Sequence, residues 1–214
     1  MRKVDYCVLH CTAGPRNQSV ESIKAHWKRL GWKTVGYHRL ISPDGTVHNL
    51  ADYSDITNGV KGFNAVSIHI SYIGGIDSNG RAVDNRTDAQ KAAQKVLIEE
   101  AAKLFPGIVI LGHRDFSPDK NRDGAIQPGE WMKTCPSFSV KDWLKEIGFK
   151  SANKEYCRTL GALNMRSGFG TQFSIVTTLM PGVPVEKISE KNGWAYCQYG
   201  RFVGWIRSDL LIKI

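Results

Sequence analysis

No stretch of this chain approaches the roughly 20 consecutive apolar residues of a membrane-spanning helix, so no membrane insertion is expected. The first residues, MRKVDYCVLHCTAG, lack the apolar core of a signal peptide and read as the first strand of a fold. Nothing repeats internally and no segment is of low complexity, so neither a repeat architecture nor a disordered tract is expected. Cysteine is sparse and odd in number, as Cys7, Cys11, Cys135, Cys157 and Cys197. The irregular spacing shows no disulfide framework, and a chain of 214 residues needs none. A Cys157–Cys197 bridge stays open as one pairing; buried free thiols are the expectation.

What is present is ordinary globular material. Hydrophobic residues make up 42% and charged ones 23%, enough for a buried core, and the length suits one or two domains. The formal charge is +9. Residues 1–150 carry 21 Lys and Arg against 16 Asp and Glu, and residues 151–214 carry 8 against 4. The excess is thus spread along the chain with no basic tail. That pattern suits a broad anionic partner such as nucleic acid, a membrane surface or bacterial cell wall.

The first two thirds alternate strands with helices. VDYCVLHC is a short apolar run ended by the turn-rich TAGPRNQS. A helix follows, with Ile23, Trp27 and Leu30 at helical spacing, Ser19 as its cap and Gly31 as its stop. YHRLISPDGTVHNL reads as two strands around Pro43-Asp44-Gly45. AVSIHISYIGGID is a further strand, and Thr87 to Gln90 is a capping box opening a long helix. GIVILGH delivers His113 at a strand end, and SVKDWLKEIGF is the last helix. This order predicts an α/β fold, a mixed central β-sheet flanked by helices, over residues 1–150. From about residue 151 the chain changes to short β-type runs between Gly, Pro and Asn turns. Residues 151–214 are therefore expected to form a small all-β barrel, with the boundary near Phe149–Tyr156.

Three residues on separate elements suit zinc: His10 in the first strand, His113 at the end of another, and Cys135. Imidazole and thiolate are the ligands this ion prefers, and three of them leave a fourth position open. Packed core residues are the plain alternative for His10 and Cys135. Between His113 and Cys135, the run Asp119 to Glu130 matches D-x-[DN]-x-[DN]-G-x5-E. In such a loop Asp119, Asn121 and Asp123 offer side-chain oxygens, Ala125 its carbonyl and Glu130 a bidentate carboxylate to calcium. Gly124 serves the turn. No helix precedes the loop, so a structural calcium site or a plain acidic turn are the two readings. Tyr37 and Lys133 complete the set, as groups able to stabilise an oxyanion or move a proton. His26, His38, His48 and His69 are expected to be structural or exposed.

The segments VLHCTAG, VGYHRLISPDGTVHNLAD, KGFNAVSIHISYIGGID, GHRDFSP and KTCPSF, in this order, resemble the zinc-dependent N-acetylmuramoyl-L-alanine amidases of the phage-lysozyme type. These are relatives of the peptidoglycan recognition proteins, and the resemblance spans about residues 4–145. It implies hydrolysis of the amide joining N-acetylmuramic acid to the first L-alanine of the stem peptide. It implies His10, His113 and Cys135 as zinc ligands, with Tyr37 and Lys133 in transition-state stabilisation and proton transfer. Two departures stand out. Gly59 and Val60 occupy the place where many relatives have a histidine before KGFN, and the His-to-Cys interval is lengthened by the calcium-like loop. Residues 154–214 resemble a bacterial SH3-like domain, a cell-wall-targeting module. Its aromatics Trp194, Tyr196, Tyr199, Phe202 and Trp205 are expected to divide between core and a ligand surface.

The expected function is that of an endolysin-type peptidoglycan hydrolase, acting as a monomer on peptidoglycan and not on nucleic acid. With no signal peptide evident, it is expected to stay in the cytoplasm until a holin-type pore releases it. A muropeptide-binding protein without catalysis and an antibacterial amidase effector are the alternatives. A cysteine peptidase with an SH3-like module fits poorly, because Cys135 follows both candidate histidines instead of preceding one.

Overall fold

The computed structural model describes residues 2–121, 123, 125–149 and 155–214. The chain divides into two compact units. One comprises Met1–His113 with Lys133–Ala152, and the other Arg114–Met132 with Asn153–Ile214. The chain passes between these units at three places; of the boundary expected near Phe149–Tyr156, residues 150–154 lie outside the described residues.

The first unit is built on a five-stranded sheet. Its strands are β1 (Tyr6–Cys11), β2 (Arg39–Ile41), β3 (Val47–Asn49), β4 (Ser67–Tyr72) and β5 (Val109–Gly112), in the order β3-β2-β4-β1-β5. All neighbours are parallel except the β2–β3 hairpin, whose turn uses Gly45 at φ +88° as the Pro-Asp-Gly signal predicts. β1 lies between β4 and β5 and is buried at all six residues, as expected of a central parallel strand covered on both faces.

The two faces of β1 and β4 differ in chemistry. Val8 pairs with His69 and His10 with Ser71, so these side chains share one face, because paired residues project to the same side. The opposite face carries Cys7, Leu9, Cys11, Ile68, Ile70 and Tyr72. Helix α2 (Asp88–Leu104) packs on it through Leu97, Ile98 and Ala101, and α3 (Val140–Glu146) through Val140 and Trp143. The Thr87–Gln90 capping box forms in both directions. Helix α1 (Val20–Arg29) is capped by Ser19 and buries Val20, Ile23 and Trp27 against Leu40 and Ile73.

The second unit is a seven-stranded sheet with antiparallel pairing throughout. Its strands β6 (Glu155–Thr159), β7 (Leu163–Arg166), β8 (Ile175–Leu179), β9 (Pro184–Lys191), β10 (Trp194–Tyr199), β11 (Phe202–Arg207) and β12 (Leu211–Lys213) run in the order β12-β6-β9-β10-β11-β7-β8. Cys157 and Cys197 are buried free thiols. The segment Arg114–Met132 is fastened within this unit by Arg158, a buried side chain that donates to the carbonyls of Asp115 and Gly182. Gly182 lies at φ +78°, and a Cβ there would stand 3.0 Å from the Asp119 nitrogen and the Ser117 oxygen. Glycine lets the two backbones approach this closely.

Candidate metal centre

The centre forms at the carboxyl ends of β1 and β5, where open α/β sheets place their sites. In register, Leu9 pairs with Gly112, which sets His10 beside His113. The third group arrives on the segment Lys133–Phe138, which hydrogen bonds tie to β1, to β4 and to the chain just after β4. The Tyr72 hydroxyl donates to the Pro136 carbonyl at 2.9 Å, and the Ser137 hydroxyl to the Gly75 carbonyl at 2.9 Å.

His10 Nδ1 stands 3.2 Å from His113 Nδ1 and 3.6 Å from Cys135 Sγ. Tetrahedral zinc, with Zn–N near 2.0–2.1 Å and Zn–S near 2.3 Å, sets N···N edges at ~3.3 Å and N···S edges at ~3.5 Å. His10 therefore stands at zinc-like separations from both other groups, and all three ligand atoms lie within 4.8 Å of one another. Among the described residues, this is the one group of three His, Cys, Asp or Glu ligand atoms gathered closely enough to hold a metal. His10 is buried, whereas His113 and Cys135 are half-buried.

The protonation states agree with ligation. Burial, with His113 and other nearby cations behind it, holds His10 well below the ordinary histidine range. Burial and then Lys133 bring His113 down to about 4. Both rings are neutral near pH 7, the state in which imidazole binds metal. Burial pushes the Cys135 thiol well above its ordinary value; a cation at the centre reverses this, since a coordinating thiol is deprotonated. The Cys11 amide donates to Cys135 Sγ at 3.3 Å, a contact that favours the thiolate.

Tyr37 borders the same group. Its ring centroid lies 5.1 Å from that of His10, and its hydroxyl donates to the Cys11 carbonyl at 3.4 Å. Burial, followed by the two cysteines, raises its phenol far above the usual range, so it remains a neutral donor. Lys133 is exposed and close enough to depress both His10 and His113.

The Asp119–Glu130 loop forms its turns without gathering its acids. Glu130 Oε1 accepts from the amides of Lys120 (2.6 Å) and Asn121 (3.1 Å), and Oε2 from Gln127 (2.9 Å). Asp123 accepts from the Ala125 amide and from the Gln127 and Asn121 side chains. Asp119, Asp123 and Glu130 form no three-ligand cluster among the described residues, and Gly124 lies outside them.

His69, expected to be structural or exposed, is fully buried and touches the centre: its Nδ1 is 3.1 Å from His10 Nε2. In sequence, Ser67-Ile-His69-Ile-Ser71 alternates polar and apolar residues as a half-exposed strand does; the structure buries all six residues of the strand. Buried polar residues on one face of a central strand mark a site.

Comparison with known proteins places these features. The family profile described as N-acetylmuramoyl-L-alanine amidase matches residues 1–137, and that of the bacterial SH3 domain matches residues 161–212. The endolysin of Enterobacteria phage K11 is 34% identical over 139 residues, covering 64% of this chain and 83% of the phage protein. The solved Ph2119 endolysin from a Thermus scotoductus MAT2119 bacteriophage is 31% identical with a TM-score of 0.53, covering 70% of this chain and 88% of that one. Peptidoglycan-recognition protein SC2 of Drosophila melanogaster is 30% identical over 122 residues, covering 52% of this chain and 64% of that protein. A mixed α/β sheet with a His/His/Cys centre, followed by an SH3-like module, and the likeness to phage endolysins define a peptidoglycan hydrolase of the endolysin class. The chain belongs to the N-acetylmuramoyl-L-alanine amidase family.

Proposed function

We propose that this amidase is zinc-dependent and cleaves the bond between N-acetylmuramic acid and L-alanine with His10, His113 and Cys135 holding the metal. The observation that carries the proposal is the gathering of these three ligand atoms within 4.8 Å, with His10 Nδ1 at the separations a tetrahedral zinc shell sets from the other two. Zinc held there supplies a Lewis acid for the scissile carbonyl and brings the pKa of water to near neutrality. The remaining chemistry belongs to the chain. The Tyr37 phenol, kept protonated by burial, turns its one O–H from the Cys11 carbonyl to the oxygen on which negative charge develops. The exposed Lys133 ammonium stabilises the same charge from the solvent side, donates a proton to the leaving amine and is reprotonated by the proton the attacking water gives up. The SH3-like module is assigned to holding the enzyme on the wall.

Purified peptidoglycan should release new L-alanine amino termini without new reducing ends. New reducing ends would identify a glycosidase instead, and tight binding with no new termini a recognition protein. One zinc per chain is expected by elemental analysis, lost together with activity in Cys135→Ser. Full activity in a zinc-free preparation would overturn the metal assignment.

For Asp119, Asn121, Asp123, Ala125 and Glu130 we propose a structural calcium loop, supported by the order of these residues and by the burial of Asp119 and Glu130. Binding requires Glu130 to turn from three backbone amides toward the ion. Calcium should raise the melting temperature of the wild type, and Asp123→Ala should abolish that shift while zinc stays bound. A wild type indifferent to calcium would reduce the segment to an acidic turn.

A further inference from the structure

We infer that His69 is a positioning residue for the metal centre, setting the tautomer and orientation of His10 from the neighbouring strand. The inference rests on the proposal that the centre holds zinc. His10 directs Nδ1 toward His113 and Cys135. A neutral ring that coordinates through Nδ1 carries its proton on Nε2. The atom facing that proton is His69 Nδ1, at 3.1 Å. The opposite arrangement, with the proton on His69 Nδ1, would put the His10 proton on Nδ1, where it blocks the metal. The partner of the ligand's second nitrogen therefore decides whether the ligand is competent.

His69 is held in place from several sides. Its backbone amide donates to His38 Nδ1 at 2.9 Å. His38 Nε2 in turn lies 3.2 Å from the Asp55 carbonyl, which fits a His38 proton on Nε2. The rings of His38 and His69 stack at 5.9 Å and 27°. Gly59 lies against His69, where a Cβ would come within 2.3 Å of ring atoms Cγ and Nδ1. Gly59 is the room the imidazole occupies.

Packing alone does not account for this histidine. With its Nδ1 accepting from His10, the remaining proton sits on Nε2, which is buried without a partner among the described residues. A buried donor left in that state subtracts from stability. An apolar side chain of similar size would suit the apo fold at least as well, and it would leave His10 Nε2 unpartnered.

The test is zinc affinity of the full-length protein, by competition with a chromophoric chelator, alongside the melting temperature of the metal-free form. His69→Leu should weaken zinc binding by roughly 10- to 100-fold, with the metal-free melting temperature unchanged or higher. His69→Asn, whose amide oxygen can take the place of Nδ1, should recover most of the affinity. Gly59→Ala should weaken zinc in the wild-type background and have little effect in His69→Ala, where no ring remains to be displaced. This second pair decides the matter if His69→Leu does not fold. Zinc bound equally by the wild type and the folded His69→Leu protein, or by Gly59→Ala and the wild type if His69→Leu does not fold, overturns the role of His69 alone. A wild type that binds no zinc overturns the metal assignment on which it stands.

Discussion

Tyr37 meets the centre as a hydroxyl that burial keeps protonated, so its contribution is a hydrogen bond, not a negative charge. Tyr37→Phe removes the donor and keeps the ring packed beside His10 and Trp27. We expect kcat to fall by ~10²–10³, the range for loss of one oxyanion donor, with zinc content unchanged. Parallel metal analysis and steady-state rates check this; a loss of zinc would make Tyr37 a support of the ligands instead. At this scale, His10, His113, Cys135, Tyr37 and Lys133 could be picked out through family segments, each tied to a short run of neighbouring residues. His69 could not, because its importance comes from a contact with His10 across 59 positions of sequence. Residue type alone cannot distinguish a packed imidazole from one that orients a metal ligand.

The elements followed their local signals where those signals were chemical. Ser19, the Thr87–Gln90 box and the Pro43-Asp44-Gly45 turn each formed where the side chains satisfy a backbone group or a positive φ. β4 carries a consequence for pH. His38, whose ring accepts from the β4 amide of His69, is brought to about 4, chiefly by burial, whereas an unfolded histidine titrates near 6.5. Between those values the unfolded chain binds a proton that the folded chain does not, so stability falls as pH drops from about 6.5 to about 4. Above that window this group adds no slope. Melting temperatures of the metal-free protein should decline across the window, and His38→Gln should flatten part of the decline. An unchanged profile in the variant would assign the slope to other groups.

At the scale of the molecule, the segment Arg114–Met132 begins immediately after one proposed zinc ligand and ends three residues before another, yet it belongs to the second compact unit. Arg158 on β6 fastens it through the Asp115 carbonyl. A chain ending at residue 149 retains all three ligands and loses the partners of this segment. We expect such a truncation to be cleaved by protease within residues 114–132 and to bind zinc more weakly than the full chain. Arg158→Ala should show the same changes in milder form. Equal zinc affinity and protease resistance in the truncated chain would show that the segment holds its structure unaided.

The sequence by itself determined the element types, the caps and turns, the change from α/β to all-β character, and the family of the first unit. These follow from interactions between residues close in the chain or from short ordered segments. Tertiary structure decided what depends on distant approach. It brought the three ligand atoms within 4.8 Å of one another, turned Glu130 onto backbone amides, left Cys157 and Cys197 as free thiols, and joined Arg114–Met132 to the second unit. It also placed His69 against His10 and Gly59, because strand register fixes which side chains share a buried face, and no local pattern fixes which strands become neighbours.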